Sequence, residues 1–121
     1  MEKQKKIILV ETNLFFSLKI TAPLKQLGYT VEINYSFEEI KNKTGICAII
    51  IDLCAKDLNP IEIIKKLKNS AETELIPIIG FCGHSKQTLM ESARLSGCSI
   101  VTTNAKITSC IAEVLAAIEL K

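Results

Sequence analysis

The stretch Cys47-Ala48-Ile49-Ile50-Ile51-Asp52 is an unbroken apolar run that ends in an aspartate. Continuous runs of this kind, rich in β-branched residues, are typical of strands that are covered on both faces. Similar runs occupy residues 7–10, 76–81 and, more weakly, 99–101. Residues 29–33 alternate between apolar and polar side chains and predict an edge strand. The sequence therefore predicts a sheet of about five strands.

Between the strands, apolar residues recur at the spacing of helices that bury one face. This pattern predicts a helix over residues 61–68, whose lysines are expected to face solvent, and further helices over 85–96 and 107–118. Residues 14–27 are also helical in pattern, but Pro23 predicts a kink or an early break there. Alternating strands and helices predict a three-layer α/β fold with a doubly wound parallel sheet.

The composition fits one domain that covers residues 1–121. A net charge of +2 is too small to favour nucleic-acid binding. No apolar run reaches the roughly 20 residues of a membrane-spanning helix. The five cysteines form no CxxC pair and are expected to be reduced thiols. We therefore expect a cytoplasmic protein that neither binds nucleic acid nor inserts into a membrane.

Polar residues follow the predicted strands at the points where the strands end. Glu11 and Thr12 follow the first apolar run, Asp52 ends the third strand, and Cys82 and Asn104 follow later strands. In doubly wound sheets, ligands bind at the carboxyl ends of the strands. We expect the functional site at this edge, although Asp52 is alternatively a strand-end residue that only accepts backbone hydrogen bonds from the following loop.

Over essentially its whole length, the sequence resembles the receiver domains of two-component response regulators. Residues 8–13 resemble the family's first strand and acidic turn, and residues 48–53 resemble the strand that carries its phosphoacceptor, here Asp52. Residues 76–80 and 93–97 resemble the fourth strand and the end of the fourth helix. The resemblance implies a flavodoxin-like sheet of order 2-1-3-4-5 and a role in phosphorelay signal transduction.

The resemblance also implies which groups would hold a metal ion. In receiver domains, two acids after the first strand bind Mg²⁺ beside the phosphoacceptor. Glu11 matches the first of these acids, whereas Thr12 replaces the second. Loss of one carboxylate weakens the attraction for a hard cation. We therefore expect no bound cofactor and, at most, weak Mg²⁺ binding by Glu11 and Asp52.

Three further positions of the family's site are exchanged. Cys82 replaces the hydroxyl that contacts the phosphoryl group, Val101 replaces the aromatic switch residue, and Asn104 replaces the lysine that pairs with the phosphoryl charge. A thiol is a weak donor, and a neutral amide supplies no charge. These changes predict a degenerate pseudo-receiver in which phosphorylation of Asp52 is impaired or absent.

The favoured function is a stand-alone signalling module that is not an enzyme and acts through contacts with other proteins. Its partner would be a histidine kinase or a downstream effector. The resemblance implies that residues 85–96, 99–103 and 107–118, in the last helices and the last strand, form the contact surface or a homodimer interface.

Two alternatives remain open at this stage. The chain is alternatively a functional phosphoryl acceptor of a histidine kinase phosphorelay. The second alternative is a thiol- or metal-sensing module, because the fold would bring Cys54, Cys82 and His84 to one edge of the sheet. Their sequence spacing does not resemble a metal motif, and no metal site is expected.

Overall fold

The computed structural model describes residues 5–119. Five parallel strands form one sheet in the order β2-β1-β3-β4-β5, which confirms the predicted fold class. The strands are β1 (Lys6–Val10), β2 (Thr30–Ile33), β3 (Ile46–Asp52), β4 (Ile78–Cys82) and β5 (Ile100–Thr103). The helices are α1 (Leu14–Gln26), α2 (Phe37–Ile40), α3 (Pro60–Lys68), α4 (Gln87–Ser96), α5 (Asn104–Ser109) and α6 (Ile111–Glu119). A single 3₁₀ turn, Lys56–Leu58, precedes α3.

Each face of the sheet has its own apolar core. In β1, Ile7 and Leu9 pack with α1, α5 and α6, whereas Ile8 and Val10 pack with α2, α3 and α4. Successive side chains of a strand point to opposite faces, and both faces of this sheet carry helices. This arrangement explains why the central strands read as continuous apolar runs rather than as alternating ones.

The C-terminal helical segment is divided into two helices, so the prediction of one helix over residues 107–118 was wrong. The break lies at Cys110, whose backbone leaves the helical conformation at φ −132° and ψ 38°. Just before it, the Thr108 hydroxyl donates to the carbonyl oxygens of Asn104 and Ala105, and the Ser109 hydroxyl also donates to Ala105. Hydroxyls that bond to the preceding turn compete with the backbone ladder and bend helices.

Helix α1 runs through Pro23 to Gln26, so the early break considered from the sequence does not occur. Its first turn is capped by Asn13, whose side-chain oxygen accepts a hydrogen bond from the Phe16 N–H at 3.2 Å. Ile20 and Leu24 are buried in the core on the inner side of the helix. Packing of this buried side holds the helix together despite the donor that proline removes.

Lys68 does not face solvent as predicted. Its Nζ donates hydrogen bonds of 2.9 Å to the carbonyl oxygens of Glu74 and Ile76. Partial burial lowers the pKa of Lys68 below its usual range. The side chain also fills the space beside Gly97, where an added Cβ would lie 2.5 Å from the Lys68 Cγ. Lys68 thereby ties the end of α3 to the loop before β4.

The domain prediction covered residues 1–121, and residues 1–4 and 120–121 lie outside the described part of the chain. Within the part that is described, no helix is both long enough and apolar enough to cross a membrane.

Candidate acidic site at the carboxyl edge of the sheet

Two acidic side chains lie at the carboxyl edge of the sheet, as the sequence predicted. Glu11 follows the last residue of β1, and Asp52 is the last residue of β3, which pairs directly with β1. Both are buried, with exposed fractions of only 1% and 7%. Buried carboxyl groups are uncommon unless they are paired or bind a ligand, so this pair is the candidate functional site.

Backbone N–H groups of the two turns orient these carboxyl groups. The Asn13 N–H donates to Glu11 Oε2 at 3.0 Å, and the Cys54 N–H donates to Asp52 Oδ1 at 2.8 Å. Asp52 therefore accepts a backbone bond from the loop that follows it, as the alternative interpretation predicted, and whether this is its whole role stays a prediction. Glu11 Oε1, in contrast, is buried without a hydrogen-bond partner in the described structure.

The electrostatics of the pair are dominated by burial and by the hydrogen bond that protonated Glu11 donates to Asp52, and charge repulsion between the two groups contributes less. Burial, followed by the interaction with Asp52, raises the pKa of Glu11 from 4.5 to about 8. The backbone bonds from Asn13 and Thr12 oppose this shift but do not cancel it. Glu11 therefore carries a proton at neutral pH.

The unpartnered Oε1 is an observation that fits cation binding. A buried carboxylate oxygen next to a second carboxylate binds either a proton or a hard cation such as Mg²⁺. Mg²⁺ prefers oxygen ligands and often binds only one or two carboxylates. The described residues contain no group of three or more His, Cys, Asp or Glu side chains able to hold a metal ion. Glu11 and Asp52 are the carboxyl groups that would hold Mg²⁺ here, and the ion would offset their negative charge.

Thr12 and Cys82 lie beside this pair. Thr12 is exposed, and its backbone N–H lowers the pKa of Glu11 slightly. Cys82 ends β4 and is fully buried, and burial raises the pKa of its thiol, with smaller contributions from Cys54 and Asp52. The neutral thiol therefore borders the acidic pair without adding a charge to it.

Val101 and Asn104 make no polar contribution to the site. Val101 is half-buried against the core on the α3 and α4 side. Asn104 begins α5 directly after β5, and its carbonyl oxygen accepts a bond from the Thr108 hydroxyl. Its side chain makes no hydrogen bond to Glu11 or Asp52. Among residues 5–119, no lysine or arginine forms an ion pair with either carboxyl group.

The thiol and imidazole groups considered as a sensor do not assemble into a metal site. Cys54 and His84 are exposed, whereas Cys82 is buried. These three residues are not part of any metal-ligand group in the described chain. All five cysteines are free thiols.

Sequence reasoning missed an exposed apolar surface on α1. Leu14, Phe15 and Leu18 are 72%, 61% and 62% exposed. The signal was present in the sequence, because 14–18 contains four apolar residues in five and this exceeds what one buried helix face requires. The surface begins immediately after Asn13, whose N–H bonds to Glu11, and therefore adjoins the acidic site.

The sequence matches no protein-family model and no curated protein. By structure, it resembles the chemotaxis protein CheY4 of Vibrio cholerae, with a TM-score of 0.82, 14% identity, and coverage of 94% of this chain and 98% of that one. It also resembles the receiver domain of sensor histidine kinase PA1611 from Pseudomonas aeruginosa PAO1, solved with magnesium coordinated in its active-site cleft. That match has a TM-score of 0.74 and 20% identity, and covers 86% and 91% of the two chains.

A third similar structure is a response regulator from Burkholderia pseudomallei that contains a phosphorylated aspartic acid, calcium and citrate. The TM-score is 0.72 and the identity 15%, with 96% and 73% of the two chains covered. Identities this low show the fold alone. The fold is that of the doubly wound flavodoxin-like class, and within that class it is the CheY-like fold of response regulator receiver domains.

Proposed function

We propose that this chain is a receiver-type signal transduction module that acts through contacts with other proteins, and that phosphorylation of Asp52 is impaired. One observation carries the proposal: among residues 5–119, no cationic side chain is bound to the buried pair of Glu11 and Asp52. A receiver-like fold with an acidic site that lacks charge compensation fits a module that has kept the architecture and lost the chemistry.

The expected impairment follows from charge. Transfer of a phosphoryl group to Asp52 would add negative charge next to the buried Glu11 carboxyl group. That added charge would need a nearby cation to offset it. Asn104 offers an uncharged amide where the resemblance implies a lysine, and Thr12 offers a hydroxyl in place of a carboxylate for the metal. Removal of one electrostatic contact at a reacting centre typically slows a reaction about 10²- to 10³-fold. Two such losses would make phosphorylation slower by several orders of magnitude.

Glu11 and Asp52 are the residues that would hold Mg²⁺. When bound, the ion would offset the negative charge of the pair and of a phosphoryl group. Glu11 would have to release its proton for this, because burial and Asp52 raise its pKa to about 8. Proton release costs part of the binding free energy at neutral pH, so the affinity of the site for Mg²⁺ is expected to be low.

A working phosphoryl acceptor is the second candidate function. The observation in its favour is that Glu11 Oε1 is buried without a hydrogen-bond partner in the described structure. This oxygen would be a ligand of a bound cation. In that case Asp52 would accept the phosphoryl group from a histidine kinase. This function makes the opposite prediction for the experiment below.

The partner would be a histidine kinase or a downstream effector, and the module itself would catalyse no turnover. The sequence pointed to α4, β5 and the last two helices as the contact or homodimer surface. Support for this surface comes from Leu95 on α4, which is 80% exposed. We further propose that the module works in the cytoplasm.

The test is incubation of the purified protein with a small phosphodonor and Mg²⁺, followed by intact-mass measurement. The expected result is no mass gain of one phosphoryl group. The control is Asp52→Asn, which keeps the size of the side chain and removes the nucleophile. A stable adduct on the unmodified chain that is absent from Asp52→Asn would establish the second candidate instead.

A further inference from the structure

A cavity of about 400 Å³ lies between the start of α3 and α4, beside the loop that follows β3. Its volume is within the range of the pockets that bind small molecules in proteins. It is separate from the acidic site, because neither Glu11 nor Asp52 lines it. The lining of this α3–α4 cavity includes Leu53, Lys56, Asn59, Ile61, Glu62 and Leu89.

The buried part of the α3–α4 cavity is apolar. Leu53, only 2% exposed, belongs to the core on the α3 and α4 side of the sheet. Ile61 on α3 and Leu89 on α4 are half-buried and pack against the same core. A ligand with an apolar group of matching size would remove the surface of these three side chains from water, which favours its binding.

The exposed part of the α3–α4 cavity is polar and has no partners within the chain. Lys56, Asn59 and Glu62 are all exposed. Neither charged residue forms an ion pair with another of residues 5–119. Asn59 precedes α3, but its side chain does not cap the helix. One cation, one anion and one amide are therefore free to contact a ligand whose apolar group occupies the buried part.

This lining selects for one combination of charges. A ligand that carried only a carboxylate would leave its charge close to Glu62, and a ligand that carried only an amine would leave its charge close to Lys56. A zwitterion complements both side chains. An α-amino acid has its carboxylate, its ammonium group and its side chain on the same carbon atom, so a single small molecule can satisfy the apolar and the charged parts of the cavity together.

We propose that the α3–α4 cavity binds an apolar α-amino acid. The side chain of the ligand would occupy the buried apolar part, its carboxylate would contact Lys56, and its ammonium group would contact Glu62. The Asn59 amide can donate to the carboxylate or accept from the ammonium group. This assignment adds a small-molecule ligand to the signalling module, and it does not depend on whether Asp52 is phosphorylated.

The test is titration of the isotope-labelled protein with leucine, followed through the NMR signals of its backbone amides. The signals of residues 53–62 and of Leu89 should shift and reach saturation. Glycine should bind at least about tenfold more weakly, because it has no side chain to bury. N-acetyl-leucine lacks the ammonium group and leucinamide lacks the carboxylate, and each should bind about three- to tenfold more weakly than leucine.

Two variants assign the charged contacts. Lys56→Met should weaken the binding of leucine about three- to tenfold, so that leucine and leucinamide then bind equally. Glu62→Gln should likewise make leucine and N-acetyl-leucine equal. Both residues are exposed and unpaired, so the variants are expected to fold. The matched control is Lys65→Met, which changes an exposed lysine of α3 outside the lining of the cavity and should leave binding unchanged.

Several results would overturn the proposal. The first is the absence of shifts in these amides at any soluble concentration of leucine. Equal binding of N-acetyl-leucine and leucine to the unmodified chain would identify the C-terminal residue of a peptide as the occupant instead, and equal binding of leucinamide and leucine would identify an N-terminal residue. Binding of leucine that neither Lys56→Met nor Glu62→Gln weakens would exclude the charged contacts and with them the proposed ligand class.

Discussion

Replacement of Glu11 by glutamine should stabilise the protein at neutral pH. Glu11 is only 1% exposed, and burial together with the neighbouring Asp52 raises its pKa to about 8. Glu11 is therefore protonated at neutral pH. A glutamine amide reproduces the protonated acid: its oxygen can accept the Asn13 N–H, and its NH₂ group can donate to Asp52. The substitution therefore keeps the hydrogen bond from Asn13 and removes the free-energy cost of protonating Glu11 at neutral pH.

The magnitude follows from the pKa. The folded state raises the pKa of Glu11 from 4.5 to about 8. Because the pKa is raised, the stability associated with this group is present below about pH 4.5 and is lost as the pH rises to about 8. The loss amounts to ~3 kcal/mol at pH 7 and approaches ~5 kcal/mol above pH 8. Glu11→Gln should recover about 2 to 3 kcal/mol at pH 7.

The assay is urea unfolding followed by circular dichroism at several pH values from acidic to mildly alkaline. The unmodified protein should lose stability across the interval between the two pKa values, and Glu11→Gln should lose much less. The matched control is Glu62→Gln, an exposed glutamate on α3, which should change stability by less than about 0.5 kcal/mol. A Glu11→Gln protein that is no more stable at neutral pH, with the same pH dependence, would refute the proton-sharing account.

Two other predictions concern the site and the fold. The affinity for Mg²⁺, measured by calorimetry, should increase as the pH rises from 7 towards 9, because the ion competes with the Glu11 proton; a flat or opposite dependence would argue against this competition. Lys68→Met should destabilise the fold by about 1 to 3 kcal/mol in urea unfolding, because the carbonyl oxygens of Glu74 and Ile76 lose their donor. Lys65→Met, on the exposed side of the same helix, should have little effect, and equal losses in both variants would contradict the role of Lys68.

The sheet could be predicted from the sequence because its central strands are short and buried on both faces. Continuous runs such as residues 48–51 have few alternatives once helical patterns separate them. The meeting of Glu11 and Asp52 was predictable for the same reason, since the carboxyl ends of neighbouring parallel strands share one edge. The exposure of Thr12 and the burial of Cys82 required the structure.

Other features depend on side-chain hydrogen bonds and burial that the hydrophobic pattern does not encode. The hydrophobic pattern continues across Cys110, yet the helix breaks there because the Thr108 and Ser109 hydroxyls bond to the preceding turn. Lys68 resembles its neighbouring lysines in sequence but finds two carbonyl acceptors in a loop six to eight residues away. The pKa of Glu11 likewise depends on burial and on Asp52, which is distant in the chain.

The measurement that tests the central claim most directly is the rate of Asp52 phosphorylation before and after the missing groups are restored. The phosphodonor reaction would be followed by intact mass for the unmodified chain and for Thr12→Asp/Asn104→Lys. The account predicts no detectable adduct on the unmodified chain and a reaction at least about 100-fold faster in the double variant, since each restored electrostatic contact is worth at least that factor. Rapid phosphorylation of the unmodified chain, with no gain in the double variant, would contradict the account.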